Sequence, residues 1–564
     1  MAWVLVFGLV LATFYTVSHS QDTVSVTTKR GPIVGLRFNP NPATNVSYDA
    51  FLGIPYGQIP ARFQVAVPRT PWSKAKDTKT DGPACPQPAL PYSEDCLFMN
   101  VFTPLGSSST SSKLPVMAFI HGSGYFESSS SSLMYGPDFI VHEQVILVTF
   151  NYRLGAAGFL TLGSKVAPGN LGLTDILLAL KWIQEEITVF GGDPAKVTLF
   201  GESAGGAAVI SHYLSPQSTD LFERAIAQSG SALADWAVLP MTEGVRRSKV
   251  LAQAVGCDPR QNDTILLSCL QKANIKNIVG NQSIPLPSED VISGSIGLRF
   301  VPVLDSYLTA DLPFFNDTLN NLMEKALARG KPLMNGFNTH DGIVKWELDD
   351  AWKQAEFDLI DFIPRAARSI ISNSTRTQLQ QDIQKRYFPN TFDQDKVLDI
   401  LNLYTDTMFS YPAIQVSKYF NSLTYGYLFN YYGSWSWDIS SVFPYRLMTV
   451  DHGAELPYIF YTTNVSRPLD SCTLNNANLA MKTQLVSWWT TFAKNGNPVT
   501  DASWKVVADG GYLVIDSTTS IRNVSDFESQ YYDFWANMAK SCGFTLPTSI
   551  FNFLPSMLIL VFLF

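Results

Sequence analysis

What the sequence lacks narrows its chemistry first. It has no excess of positive charge: 40 Lys and Arg stand against 48 Asp and Glu, a formal net charge of −8. No segment gathers basic residues into the runs that follow a phosphate backbone, which excludes nucleic acid as a partner. There is no C-x-x-C and no Cys/His cluster at ligand spacing, so a zinc site is excluded and no metal or cofactor is expected. No Pro/Gly-rich linker divides the chain, and the serine runs at 107–112 and 128–132 are too short to separate domains. With 46% hydrophobic and 13% aromatic residues in 564, the chain is not disordered, and it reads as one large domain over 21–541 with long insertions.

Charge is also missing from both ends. Residues 1–20 contain no Asp, Glu, Lys or Arg, and an apolar run to Val17 precedes the small residues Ser18 and Ser20, the pattern of a signal peptide. Residues 542–564 end in an apolar tail with no basic residue after it. The tail is shorter than the roughly 20 residues of a spanning helix. A small-residue site at Ser541, Cys542 and Gly543, a spacer to Ser549 and a hydrophobic end form a GPI-attachment pattern instead. The membrane is therefore expected as a partner only through this anchor, with the protein in the secretory pathway, extracellular or at the cell surface.

Seven N-x-S/T sequons, at Asn45, Asn262, Asn281, Asn316, Asn373, Asn464 and Asn523, fit that route as glycosylation sites. The spacing of the six cysteines suggests disulfides Cys85/Cys96 and Cys257/Cys269, although sequence alone permits many pairings. Cys472 and Cys542 could form a third bridge only if the tail is retained.

The first half alternates apolar strand-like runs, 114–122 and 144–153, with helical patterns. In the segment from Gly172 to Pro194, Thr174 is placed to cap a helix and Asp175 to favour its positive end, with Ile176, Leu180, Ile183 and Ile187 at helical spacing until Gly191 and Gly192. Strand, helix, strand is the order of an α/β fold, a mostly parallel sheet with helices on both faces.

The run "KVTLFGESAGG", Lys196 to Gly206, places Ser203 in G-x-S-x-G after a strand and before a helix, the context of a nucleophile elbow. A serine needs a base, and six histidines are available. His19 leaves with the signal peptide, His142 lies before a strand, His212 points down the helix from Ser203, and His121 opens an H-G-S-G turn. His340 and His452 remain. The elbow order of Ser, acid, His is met by Ser203, Asp341 and His452. In "FIHGSGYF", the N–H groups of Gly122, Ser123 and Gly124 follow a strand, as an oxyanion-binding turn requires, and the N–H of Ala204 would add another donor.

From about Gly31 to Trp535 the sequence resembles the type-B carboxylesterase and cholinesterase family of α/β-hydrolases, through "FLGIPYG", "SEDCLFMNVFTP", "IHGSGYF", "NYRLGAAGFL", "FGGDPAKVTLFGESAGG", "AQSGSA" and "HGAELPYIF". The resemblance implies an α/β-hydrolase fold with nucleophile Ser203, acid Asp341, base His452 and oxyanion donors Ser123, Gly124 and Ala204. It implies that Glu202 shapes the field beside the nucleophile and that Glu94 and Arg153 form a structural ion pair.

Four departures bear on function. Ser123 replaces the central glycine of the oxyanion turn, and Asp341 stands where glutamate is commoner. The Cys85–Cys96 loop is short and carries no tryptophan, which removes the choline-binding aromatic. Glu202 stands where juvenile hormone esterases typically carry glutamine. The expected function is hydrolysis of a small-molecule carboxylic ester through an acyl-enzyme, without cofactor. Its rivals are a silent, neuroligin-like adhesion protein, against which the intact Ser, Asp, His set argues, and a lipase-like esterase for long acyl chains. Sequence names neither the ester nor the oligomeric state.

Overall fold

The computed structural model describes residues 22–39, 44–107, 112–283, 298–305, 313–344, 359–363, 371–389, 397–433, 435, 449–461, 476–501, 503–510, 512–516, 521–524 and 527–541. The expected signal peptide, the tail from 542, Asn464, Cys472 and Cys542 lie outside these residues.

Fifteen strands are present among the described residues: β1 (Thr23–Thr28), β2 (Gly31–Phe38), β3 (Tyr48–Pro55), β4 (Gly57–Gln58), β5 (Val67–Pro68), β6 (Lys76–Asp77), β7 (Phe98–Pro104), β8 (Leu114–Ile120), β9 (Ile146–Phe150), β10 (Gly192–Glu202), β11 (Arg224–Gln228), β12 (Leu333–Asn338), β13 (Thr424–Phe429), β14 (Tyr512–Ile515) and β15 (Ile521–Val524). All but the β4–β5 ribbon join one sheet in the order β1-β2-β3-β7-β9-β8-β10-β11-β12-β13-β14-β15, with β6 beside β2. The run from β9 to β14 is parallel, and both flanks are antiparallel apart from the short β6, which lies parallel to β2.

Strand β8 shows why the pattern reads as a continuous apolar run. Val116, Ala118 and Ile120 enter one core with the helix Leu171–Glu186, while Met117 and Phe119 enter the other with the helix Asn476–Asn495. Alternate side chains point to opposite faces, and a strand covered by helices on both needs apolar residues at every position.

The helix from the Gly172 segment begins earlier than expected, at Leu171. Asn170 precedes it in a left-handed conformation, and its side chain bonds Val303 N–H and C=O at 2.8 Å each. Thr174 does not cap; its hydroxyl bonds back to Leu171 O at 2.9 Å. The ending is as expected, at Gly191 with φ +92° after one 3₁₀ turn.

Asp175 does not serve the helix end either. It accepts both guanidinium arms of Arg153, at 2.7 Å each, and its backbone N–H at 3.1 Å, and both side chains are buried. The expected Glu94–Arg153 pair is thereby corrected: Glu94 instead takes Arg62, at 2.6 and 2.7 Å, with its carboxylate partly in solvent. A buried guanidinium needs a dehydrated carboxylate with matching fork geometry, which a helix-borne Asp175 supplies and an exposed Glu94 does not.

Cys85–Cys96 and Cys257–Cys269 are disulfides. Asn45, Asn262, Asn281, Asn316 and Asn373 are exposed, and Asn523 lies in β15. No helix among the described residues is long and apolar enough to cross a membrane.

Candidate active site

The carboxyl ends of the parallel strands converge on one edge, where open α/β sheets place their sites. Strand β10 ends at Glu202 and the next helix starts at Ala204, leaving Ser203 alone in the turn at φ 58°, ψ −124°. This is a strained conformation for a residue with a side chain, of the order of 1–3 kcal/mol. The flanking glycines make it possible. A Cβ on Gly201 would lie 2.7 Å from the Gly205 backbone, and one on Gly205 would lie 2.0 Å from Ile120 O. Ser203 N–H bonds Gln228 O at 2.8 Å, tying the elbow to β11.

Asp341 follows β12, fully buried. Its Oδ2 accepts Asn338 N–H at 2.8 Å, and its Oδ1 faces His452 Nδ1 at 2.8 Å. Gly342 N–H bonds Thr405 Oγ1 at 2.9 Å, fixing the acid's loop from the other side. The structure thus brings Asp341, His452 and Glu202 together beside Ser203. His452 Nε2 lies 3.2 Å from Glu202 Oε1, and no hydrogen bond joins it to Ser203 Oγ.

Electrostatics separates His452 from the other histidines. Burial alone lowers His121 to about 4 and His212 to about 3, because neither has a carboxylate to hold its charged form. His121 stacks on Tyr152 and His212 bonds Ser218 Oγ at 2.7 Å, both structural roles. His340 bonds Thr449 Oγ1 and is also lowered by burial, although Asp341 opposes this. Burial likewise works against a charged His452, but Glu202, Asp341 and Glu455 together outweigh it and raise the group to about 9. Burial raises Glu202 to about 8, against the pull of His452.

The candidate oxyanion turn leaves backbone donors free. Ser123 has φ +66° and Gly124 φ +66°, and among the described residues no acceptor bonds the N–H of either. Ala204 opens its helix, where N–H groups have no intrahelical partner. Gly122 has no room for a side chain: a Cβ would lie 2.7 Å from Glu202 O and 2.9 Å from Ser203 Cβ.

Sequence reasoning missed three contributors. Glu455, buried three residues after His452, accepts Gln228 Nε2 at 2.8 Å and Asn338 Nδ2 at 2.7 Å. Phe409, in a π-helical turn Asp406–Ser410, lays its ring 4.9 Å from the imidazole. Thr405 holds the acid loop. Only Glu455 had a signal, an acid among apolar residues in "HGAELPYIF". A cavity of about 540 Å³ lies elsewhere, lined by Arg62, Arg69, Glu94, Asp95 and Arg153. Its arginines are taken by carboxylates, Arg69 by Asp95 at 2.7 Å, so it offers no uncompensated charge.

The whole described sheet matches one known group. The profile of the carboxylesterase family covers residues 22–535. The chain belongs to the carboxylesterase family. An acetylcholinesterase of Bungarus fasciatus is 32% identical over 505 residues, covering 85% of this chain and 79% of that protein. A cholinesterase of Mus musculus is 31% identical over 536 residues, 88% of this chain and 82% of its own length. The crystal structure of juvenile hormone esterase from Manduca sexta, with OTFP covalently attached, superposes with a TM-score of 0.80 at 28% identity, covering 92% of this chain and all of that one. As a carboxylesterase, this chain is a serine-type carboxylic ester hydrolase with the α/β-hydrolase fold.

Proposed function

We propose that this carboxylesterase hydrolyses small carboxylic esters through an acyl-enzyme formed on Ser203, with His452 as base and Asp341 as its orienting acid. The observation that carries the reading is the 2.8 Å Asp341–His452 contact beside a serine held in the strained elbow. Asp341 bonds Nδ1–H and so leaves Nε2 as the basic nitrogen. Ser203 Oγ attacks the ester carbonyl while its proton passes to Nε2. The N–H groups of Ser123, Gly124 and Ala204 receive the developing oxyanion. The proton then goes to the departing alcohol, and water repeats the sequence on the acyl-enzyme. Glu202 stabilises the transient imidazolium.

The disulfides and exposed sequons support a secreted or cell-surface enzyme. The apolar tail supports a GPI anchor, which release of active enzyme by a phosphatidylinositol-specific phospholipase C would test. The catalytic reading is tested by a chain-length series of nitrophenyl esters with wild type and Ser203→Ala. Turnover should fall by several orders of magnitude in the variant, because nucleophile and base act as a unit. An organophosphate should label Ser203, and labelling of another serine or retained turnover refutes the assignment.

A further inference from the structure

The turn that carries Ser123 and Gly124 belongs to an irregular segment between the end of β8 at Ile120 and the backbone pairing of Gly136 with Tyr461. Three residues with side chains sit at positive φ within it: Ser123 at 66°, Tyr125 at 58° and Ser128 at 89°. Such a path does not hold itself, since each of these conformations is unfavourable on its own. Its upstream end is fixed by β8. Just after the turn, Gly155 N–H bonds Tyr125 O at 2.7 Å and Phe126 N–H bonds Ser123 O at 3.0 Å; further downstream, the contacts come from side chains at alternate residues. Ser130 N–H bonds Asn151 Oδ1 at 2.8 Å, and Ser130 O accepts Asn100 Nδ2 at 2.9 Å. Ser132 N–H bonds Asp81.

The nearest side-chain anchor on the downstream side of the oxyanion donors is Gln87. Its Oε1 accepts Ser128 N–H at 2.9 Å and its Nε2 donates to Ser128 O at 2.8 Å, the reciprocal pair that a neighbouring strand would make. The same Nε2 donates to Cys85 O at 3.1 Å. Gln87 is fully buried inside the loop closed by Cys85–Cys96. The loop that lacks the choline-binding aromatic thus has another use.

We propose that Gln87 is a positioning residue for the oxyanion hole: through Ser128, and together with the Gly155–Tyr125 bond, it fixes the downstream side of the turn whose Ser123 and Gly124 N–H groups receive the tetrahedral oxyanion. This rests on the proposed function. A loosened turn still admits the planar ester but binds the tetrahedral state less well, so the effect falls on kcat more than on KM.

The test compares wild type, Gln87→Met, which keeps length but neither hydrogen bond, and Gln87→Glu, which keeps the acceptor for Ser128 N–H. The readouts are kcat and KM for a short nitrophenyl ester, and affinity for a trifluoromethyl ketone of the same acyl length, which adds Ser203 Oγ to give a tetrahedral oxyanion. We expect kcat and ketone affinity of Gln87→Met to fall together by about 10- to 100-fold with KM nearly constant, a displacement far from the chemistry being able to cost this much. Gln87→Glu, whose second oxygen would face Ser128 O and Cys85 O in place of a donor, should fall at least as far. If Gln87→Met fails to fold, Gln87→Glu against wild type carries the comparison. Folded variants with kcat and ketone affinity within about twofold of wild type overturn the proposal, even if their melting temperature falls. A wild type that turns over no ester and binds no ketone overturns the function itself.

Discussion

Glu202 Oε1 lies 3.2 Å from His452 Nε2, on the opposite side of the ring from Asp341. One imidazole therefore stands between two carboxylates, and its charge state is set by both. Glu202 is the largest of the influences that hold the imidazolium, so Glu202→Gln removes that hold and lowers the pKa of His452 from about 9. The base is active when neutral. The acid limb of the kcat/KM–pH profile should therefore move to lower pH, while the plateau falls by about 10-fold, roughly 1.4 kcal/mol, because the imidazolium formed in the transition state loses a partner. An acid limb that stays in place would show that Glu202 does not act on His452.

Asp341 has both oxygens engaged and no exposed surface. Asp341→Asn keeps the shape but presents a donor or a neutral acceptor to Nδ1, and kcat should fall by about 10⁴-fold, as when a triad imidazole is held in the wrong tautomer. Asp341→Glu adds a methylene to a side chain with no exposed surface, costing about 1–3 kcal/mol. Its kcat should fall too, and a gain would show that the acid loop has slack to give.

The two arginine pairs make a contrast in stability. Asp175→Asn leaves the buried guanidinium of Arg153 without its charge partner and should destabilise the fold by about 3–5 kcal/mol. Glu94→Gln breaks a pair whose carboxylate is partly in solvent, and about 1 kcal/mol or less is expected. Urea unfolding midpoints of the two variants measure this, and equal losses would refute the burial argument.

The fold was legible because it rests on local patterns, and the candidate site was suggested by patterns of the same kind. Continuous apolar strands, the glycines around Ser203 and the order Ser203, Asp341, His452 are visible along the chain. What failed depended on distant contacts. Asp175 looked like a helix-end residue because nothing local reveals Arg153, and Thr174 looked like a cap because nothing local reveals Val303 holding Asn170. Glu455, Thr405 and Phe409 act through the packing of segments far apart in sequence, and Gln87 meets Ser128 only across a closed disulfide loop.

Ser123 gives a prediction in which two effects oppose. At φ +66° a side chain is strained, and glycine relieves this by about 1 kcal/mol. Glycine also loses more backbone freedom on folding, an opposing effect of roughly the same size. The stability of Ser123→Gly should therefore stay within about 1 kcal/mol of wild type. Its N–H remains, and a turn that adopts this conformation without strain should keep or improve the alignment of the donor, so kcat should hold or rise. Ser123→Val separates backbone from hydroxyl, because a β-branched residue tolerates positive φ worst and should lower both stability and kcat. If Ser123→Gly instead loses more than about 10-fold in kcat with stability intact, the loss cannot come from strain or from the N–H, and the Ser123 hydroxyl itself must touch the substrate.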